Sequence, residues 1–573
     1  MKPSIKRRKI GSGEFDDSIS PLLQRIFAAR GVASSEELDC SVGELIRSDA
    51  LLGIEAAVSL LHVALVNQQK ILIVGDFDAD GATSCAVAVR GLTAMGAVKV
   101  EYLVPNRFEY GYGLTEEIVA LAQERQPDLI ITVDNGISSI AGVAAARRAG
   151  VSVLITDHHL PGAKLPDANA IVNPNLEGDD FPSKALAGVG VIFYVLLALR
   201  AKLREVNWFE ERNLVLPNLA ELLDLVALGT IADVVPLDRN NRVLTTQGLR
   251  RIRAGKTVPG IQALIQVAGA NQKKLSSTDI GFLIGPRLNA AGRLADMSLG
   301  IECLISDDPA HCANLAEQLN KLNIERREIE GEMKLQAMEY VDQISLSEET
   351  LPAGIALFDP DWHQGVVGIV ASRIKDRCHR PVIAFAKDGD GGLKGSGRSI
   401  PGLHLRDLLD LIATRHPKLL SKFGGHAMAA GLTIAESAFD EFVDRFGETA
   451  TECIDSAMLE KVLETDGELE ESNITIETAE VLRIAAPWGQ AFPAPCFDNN
   501  FDISSRRIVG ENHVKLKLRI EGGSRDIDAI AFNALDQPWA AASERIHAVY
   551  RLETNEYRGV VSVQLLIEFA EAI

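Results

Sequence analysis

The stretch ILIVGDFDADGATS, residues 71–84, drives a run of apolar and small residues into three carboxylates within five positions, Asp76, Asp78 and Asp80. Desolvating such charges unpaired costs on the order of several kcal/mol each, so the run predicts a cationic partner that the chain itself does not supply. Three further apolar runs of strand length follow it: VKVEYLV (98–104), LIITVD (129–134) and VSVLITD (151–157). Stretches of helical composition lie between them, at about 83–95, 114–125 and 138–149, each entered through Ser, Thr or Gly. Continuous apolar strands alternating with helices predict a parallel sheet covered on both faces, whose ligands sit beyond the carboxyl ends of the strands. Asp76, Asp134 and Asp157 each stand where an apolar run stops, so the topology gathers them at one edge.

Composition narrows the classes. The chain has 573 residues, too many for one core, with 47% hydrophobic and 24% charged residues, as expected of a globular chain built from several domains. Its longest apolar run, GVGVIFYVLLAL (188–199), is shorter than the ~20 residues of a membrane span and reads as a buried helix. MKPSIKRRKI is followed by GSGEFDDSIS rather than by the apolar segment of a signal peptide, so this end is expected to be a solvated tail. Seven cysteines without a CxxC pair predict neither a disulfide framework nor a zinc ribbon, and place the chain in a reducing, cytoplasmic setting. A net charge of −21 argues against nonspecific adhesion to nucleic acid, so any contact with a polyanion must rest on local patches.

Farther along, ELLDLVALGTIADVVPL (221–237) predicts a helix closing at Gly229 and presenting Asp233 in an apolar loop. Residues 306–341 open with Asp and Pro309 and keep Cys312, Leu315, Leu319, Leu322, Ile329 and Met333 at helical spacing, which predicts a long connecting helix. A second α/β region spans about 352–455. From about 465, the runs VKLKLRI, DIDAIAF, IHAVYRL and VVSVQLLIEF suit a small barrel. Alternation in VKLKLRI points Val514, Leu516, Leu518 and Ile520 inward and Lys515, Lys517 and Arg519 outward, a basic face of the kind that tracks a nucleic-acid backbone. Residues 496–573 hold nine Lys or Arg against twelve Asp or Glu, so that face must be local; Trp539, Tyr550 and Tyr557 are either stacking or core residues.

The edge inventory is Asp76, Asp78, Asp80, Asp134, Asp157, His158, His159 and Asp233. Carboxylates with one or two imidazoles and no thiolate suit Mn²⁺ or Mg²⁺. Five or more anionic groups exceed the needs of one ion; a pair ~3.5–4 Å apart, bridged by a carboxylate such as Asp134, would neutralise them and predicts phosphoester hydrolysis. A single Asp after a strand is usually a helix N-cap, but DFDAD, VDNG, TDHH and IADVV coincide at strand or helix ends of one domain. Two glycine-rich segments, LKGSGRSIPGLH and KFGGHAMAAG, are expected as loops that bring backbone amides, Ser396, Arg398 and His426 against an anion.

In their order, GDFDADGATS, TVDNGIS, TDHH and GTIADVVPL resemble the four motifs of the DHH phosphoesterase family. PNRFEYGYGL, GPRLNAAGR, HQGVVGIVASR, LKGSGRSIPG and FGGHAMAAG extend the resemblance to the family's bacterial single-strand-specific exonucleases, over about residues 50–435. The resemblance implies a parallel-sheet DHH domain and a smaller α/β DHHA1 domain joined by a long helix, with a C-terminal OB-fold barrel. The corresponding boundaries are a tail and helical lead-in at 1–49, the catalytic domain at 50–265, a connecting segment and long helix at 266–345, the substrate-binding DHHA1 domain at 346–455 and the OB-fold at 465–573. It implies two Mn²⁺ or Mg²⁺ ions on Asp78, Asp80, Asp134, His158 and Asp233, with Asp76 a further ligand and His159 a catalytic group facing the scissile phosphate. It also implies a pocket for a 5′-terminal phosphate made by Arg107, Ser396 and Arg398, with Arg287 nearby and His426 on the substrate side; Asn289, Arg293, His363 and Arg373 are explained equally well by packing. The implied activity is 5′→3′ hydrolysis of single-stranded DNA to mononucleotides in repair and recombination, by a monomer with a single-strand-binding protein and a helicase as partners. The alternatives are a family phosphodiesterase acting on short oligonucleotides or cyclic dinucleotides, and a non-catalytic strand-binding scaffold.

Overall fold

The computed structural model describes residues 3–105, 113–347, 351–388 and 391–573. They form two compact units, one made of Arg7–Asn320 with Glu464–Ile573, the other of Lys321–Leu463 with the first residues of the chain. Among the described residues no single helix is long and apolar enough to cross a membrane, and the seven cysteines form no disulfide.

The chain opens with β1 (Ser4–Arg7) and the helix Pro21–Ala28, whose first turn holds Pro21 and whose cap is Ser20. The parallel sheet consists of β2 (Ile71–Gly75), β3 (Val100–Leu103), β4 (Leu129–Val133), β5 (Ser152–Thr156) and β6 (Ala170–Val172). Their order is β3-β2-β4-β5-β6, every pair parallel. β2 and β4 are buried along their whole length, as their unbroken apolar sequence requires. The order reverses at β2, so the crevice beyond β2 and β4 is a topological switch point, where open α/β sheets bind ligands. The sheet has one strand more than the four apolar runs, because AIV in β6 is too short to stand out by composition.

The run 188–199 lies in the buried helix Gly188–Glu205. A later helix runs Leu223–Ala232 and does not close at Gly229. That glycine is there for close approach: a Cβ would press on the Thr83 hydroxyl and lie 2.8 Å from Asp80 Oδ1. Asp233 therefore ends a helix instead of sitting in a loop.

The long helix is Pro309–Ser347. The second unit holds β7 (Ile355–Phe358), β8 (Val382–Lys387), β9 (Gly392–Arg398), β10 (Lys422–Gly425) and β11 (Ala429–Ala435) in the order β10-β11-β9-β8-β7. The expected glycine-rich loops are thus mostly strands. Gly395 and Gly397 point into the core, where a Cβ would meet Phe385 and Leu405, while Ser396 and Arg398 share the opposite face.

β12 (Val462–Thr465) pairs with β1, so the N-terminus is not a solvated tail. Ser4 N–H donates to the Lys461 carbonyl and Arg8 N–H to that of Thr465, each at 2.8 Å. A closed barrel follows from β13 (Phe497–Val509), β14 (His513–Ile520), β15 (Ile527–Ala531), β16 (Arg545–Tyr557) and β17 (Val560–Ala572), in the order β13-β14-β15-β17-β16. In β14, Val514, Leu516 and Leu518 are buried while Lys517 and Arg519 are exposed, as alternation predicts. Tyr550 and Trp539 are core residues; Tyr557 is exposed. Ile26 and Phe27 of the first helix share this core with Trp488, Phe492, Phe497 and Phe501.

Arg30 and Asp466 fix that packing as a buried pair, Nη1–Oδ1 2.8 Å and Nη2–Oδ2 3.0 Å, with side chains 1% and 0% exposed. Asp466→Asn leaves the guanidinium without its counter-charge and is expected to destabilise this unit by about 3 kcal/mol or more, read as a lower urea midpoint at unchanged slope.

Candidate metal centre

Each strand of the switch point ends in an acid. Beyond β2, Asp76 Oδ1 accepts from Phe77 N–H at 2.7 Å, and Asp78 is the N-cap of the helix Ala79–Ala94, its Oδ1 accepting from the N–H groups of Asp80 and Gly81 at 2.9 and 3.0 Å. The helix starts four residues before its expected onset at about 83, because DFDAD supplies both the cap and the first acidic turn. Asn289 Oδ1 accepts from Ala79 N–H at 2.8 Å and braces this turn from the helix Gly285–Leu294. Asp80 is 1% exposed and caps a second helix: Oδ2 and Oδ1 accept from Gly188 and Val189 N–H at 2.6 and 3.0 Å.

Beyond β4, Asp134 adopts φ +62°, a left-handed conformation that Asp tolerates better than most residues. A Cβ on Gly188 would lie 2.5 Å from Asp134 Cβ, so glycine is required for the approach. Beyond β5, Asp157 is buried; Oδ2 accepts from Ile137 N–H at 2.9 Å, and Oδ1 lies 2.8 Å from His159 Nδ1. Asn175 and Asn173 side chains donate to the His158 and His159 carbonyls at 2.6 and 2.8 Å, holding the triplet in place. His158 Nε2 lies 3.0 Å from Asp134 Oδ1 and 3.6 Å from Asp233 Oδ2. Val234, directly after Asp233, is a β-branched residue at φ +61°, a strain of the kind that functional sites store.

The structure thus brings Asp76, Asp78, Asp80, Asp134, His158, His159 and Asp233 together. Asp134–His158–His159, Asp80–His158–Asp233 and Asp76–Asp78–Asp134 each offer donor atoms within 4.8 Å of one another. Asp134 and His158 belong to two sets each, the sharing that a two-ion centre needs. Oxygen and imidazole donors fit Mn²⁺ or Mg²⁺. Cys85, behind Asp76, has its thiol pushed up by burial and by the Asp76 charge, so it stays protonated and outside the donor set.

The electrostatics of the cluster favour a bound cation. Burial, then the Asp78 charge, pushes Asp80 up to about 7. Burial and the charges of Asp80, Asp78 and Asp76 hold Asp134 and Asp233 well above the ordinary carboxyl value. Burial alone would raise Asp157, yet the His159 hydrogen bond and the charges of both imidazoles bring it below that value; His159 is raised in turn, its partner Asp157 outweighing burial. Unfolding returns Asp80 to an ordinary value near 3.8, so between about pH 4 and about pH 7 the folded chain holds the extra protons. The metal-free chain is therefore expected to lose stability as pH rises through that window. Thermal melts in chelator and in Mn²⁺ check this: the rise in Tm on adding Mn²⁺ is larger at about pH 7.5 than at about pH 5.

Of the expected substrate residues, Arg107 lies outside the described residues. Arg287 is buried on the helix Gly285–Leu294, donating to the Leu283 carbonyl at 2.5 Å and to Asn320 Oδ1 at 3.0 Å. Ser396 and Arg398 lie on β9, with Arg398 Nη1 3.1 Å from Ser396 Oγ, and His426 lies in the turn between β10 and β11. Sequence reasoning gave no weight to Gly188, Asn173 or Asn175; the NPN at 173–175, following a strand, was the available signal.

Strand-end acids at a switch point and an Asp-His-His triplet define the DHH class of phosphoesterases, and residues 70–230 match the DHH family N-terminal domain. Residues 351–452 match the DHHA1 domain and 465–568 the RecJ OB domain. The chain belongs to the RecJ family. It is 56% identical over 565 residues to the single-stranded-DNA-specific exonuclease RecJ of Dickeya dadantii, covering 98% of each chain. Identity to the Escherichia coli RecJ is 52% over 572 residues, 99% of each. The solved structure of Thermus thermophilus RecJ in complex with Mn²⁺ matches with a TM-score of 0.80 at 30% identity, covering 97% of this chain and 76% of that one.

Proposed function

We propose that the chain hydrolyses single-stranded DNA from the 5′ end to mononucleotides, in DNA repair and recombination. The carrying observation is the strand-end cluster of five carboxylates with His158 and His159, in a chain that matches single-stranded-DNA-specific exonucleases over nearly its whole length. Asp76, Asp78, Asp80, Asp134, His158 and Asp233 hold two Mn²⁺ or Mg²⁺ ions, which supply charge neutralisation of the phosphodiester and acidification of a water for in-line attack. Asp134 belongs to two of the donor sets and would serve both ions. Asp80 is held by two backbone amides and Asp78 by its own helix turn, so neither carboxylate must reorganise to bind. Asp157 fixes the His159 ring through Nδ1, orienting it toward the scissile phosphate. Ser396 and Arg398 bind the 5′-terminal phosphate on the face of β9 that they share, with His426 on the substrate side. Lys517 and Arg519 on the barrel follow the strand's backbone. Single-stranded DNA is the substrate; a single-strand-binding protein and a helicase are the partners of a cytoplasmic monomer.

End-labelled oligonucleotides test the reading. Stepwise loss from the 5′ end in Mn²⁺, abolished by chelator, supports it. Cleavage of only very short substrates reassigns the chain to the family's small-molecule phosphodiesterases, and binding without turnover makes it a scaffold.

A further inference from the structure

The helix Arg239–Arg253 and the residues just after it, RNNRVLTTQGLRRIRAGK (239–256), carry six cations and no acid in a chain of net charge −21. A helix C-terminus favours cations, which accounts for Arg250, Arg251 and Arg253 in the last turn, but not for Arg242 one turn from the N-terminus, where the helix dipole disfavours a positive charge. Arg242, Arg250 and Arg253 line a cavity of about 100 Å³ with Thr246, Leu249, Ile484, Pro487 and Phe492, all within one unit. Arg242 is only 8% exposed; it stacks 4.5 Å from the centre of the Phe492 ring and donates to the Leu237 carbonyl at 3.1 Å. Arg253 is fixed by the Leu275 carbonyl at 2.6 Å. Among the described residues none of the three guanidinium groups forms an ion pair, and the Thr246 hydroxyl is buried without a hydrogen-bond partner. Burial holds Arg242 and Arg253 below the usual guanidinium range, outweighing the charges of Asp238 and Glu37 near the first and of Asp279 near the second.

We propose that this arginine-lined face is a second phosphate-binding site, distinct from the metal centre, that takes a backbone phosphodiester of a nucleic-acid strand. Two of these guanidinium groups, Arg242 and Arg253, are already held, and with the exposed Arg250 beside them they suit the bidentate geometry of phosphate. A strand fits better than a lone phosphate because the cations do not stop at the cavity: Arg251 and Lys256 line a separate cleft of about 750 Å³ against the same helix. A helix of this length presents charge over roughly 22 Å, far more than one phosphate spans. The proposal rests on the strand-degrading function argued above and extends it to a site that only longer strands reach.

The test uses the full chain in chelator, binding 3′-labelled oligonucleotides of about 6 and about 30 nucleotides across about 50–200 mM salt. Arg250→Gln/Arg253→Gln is expected to weaken the longer strand about tenfold and to make the log K against log salt slope shallower by about 1.4, two phosphate contacts at ~0.7 each; Arg250→Gln alone gives about half that change in slope. Binding of the shorter strand and its Mn²⁺-dependent hydrolysis stay at parent level. Unchanged affinity and slope for the longer strand overturn the proposal, as do equal losses on both lengths, which would place the arginines at the metal centre. Inorganic phosphate at about 10 mM, at constant ionic strength, separates the two sources of the ligand: no displacement supports the strand, and displacement from the parent but not from the double variant reassigns the pocket to a small phosphate. Failure of the exonuclease reading would show separately, as absence of Mn²⁺-dependent turnover of either oligonucleotide by the parent.

Discussion

Asp134→Asn is expected to lower single-strand hydrolysis by about 10²–10³-fold or more while leaving the metal-free chain at least as heat-stable as the parent. The two effects have one cause. Asp134 is 2% exposed and faces the charges of Asp80, Asp78, Asp76 and Asp233, which hold its carboxyl well above the ordinary value. Its charge is thus a cost in chelator and an asset only when divalent cations are bound. Asparagine keeps the volume and tolerates φ +62°, which alanine does less well, so lost activity cannot be blamed on the backbone. Single-turnover rates in Mn²⁺, with melts in chelator, are the measurement. A variant that turns over near the parent rate would remove the two-ion reading, and one that melts lower without metal would contradict the electrostatic account of the cluster.

The second large effect is expected at β9. Arg398→Gln should reduce kcat/KM on a 5′-phosphorylated strand by about 30- to 100-fold, the ~2–3 kcal/mol of a charged hydrogen bond, and barely change it on a 5′-hydroxyl strand. Arg398 donates to Ser396 Oγ and to the Gly397 carbonyl, and among the described residues it has no carboxylate partner. Burial pushes its guanidinium below the usual range, so a charge is kept there at a cost to folding. The variant should be no less stable than the parent. An equal loss on both strands would make Arg398 a general strand contact instead of a reader of the terminus.

The parallel sheet and its acidic rim were legible because fully buried strands write unbroken apolar runs and stop abruptly at charge, as at Gly75–Asp76 and Val133–Asp134. Features that depend on three-dimensional approach were not. Gly229 reads as a helix stop because glycine usually is one, whereas here it makes room for Thr83 and Asp80. Gly395 and Gly397 read as a loop because the alternation of β9 places glycine, not an apolar side chain, against Phe385 and Leu405. The same limit applies to the first residues: Arg7 and Arg8 look solvated until Asp498 and Asp466, more than 450 positions away in sequence, are seen to receive them. The metal cluster was readable residue by residue, but its bracing by Asn173, Asn175, Asn289 and Gly188 was not, since none of these carries a charge.

Because Ile26 and Phe27 share a core with Trp488, Phe492 and a barrel whose strands begin at Phe497, most of the surface on which the first helix docks is made hundreds of residues after it. At roughly 5–20 residues per second it waits about half a minute or longer with its apolar face uncovered. Completion of this core is therefore a late, long-range event that must bring together segments more than 450 positions apart.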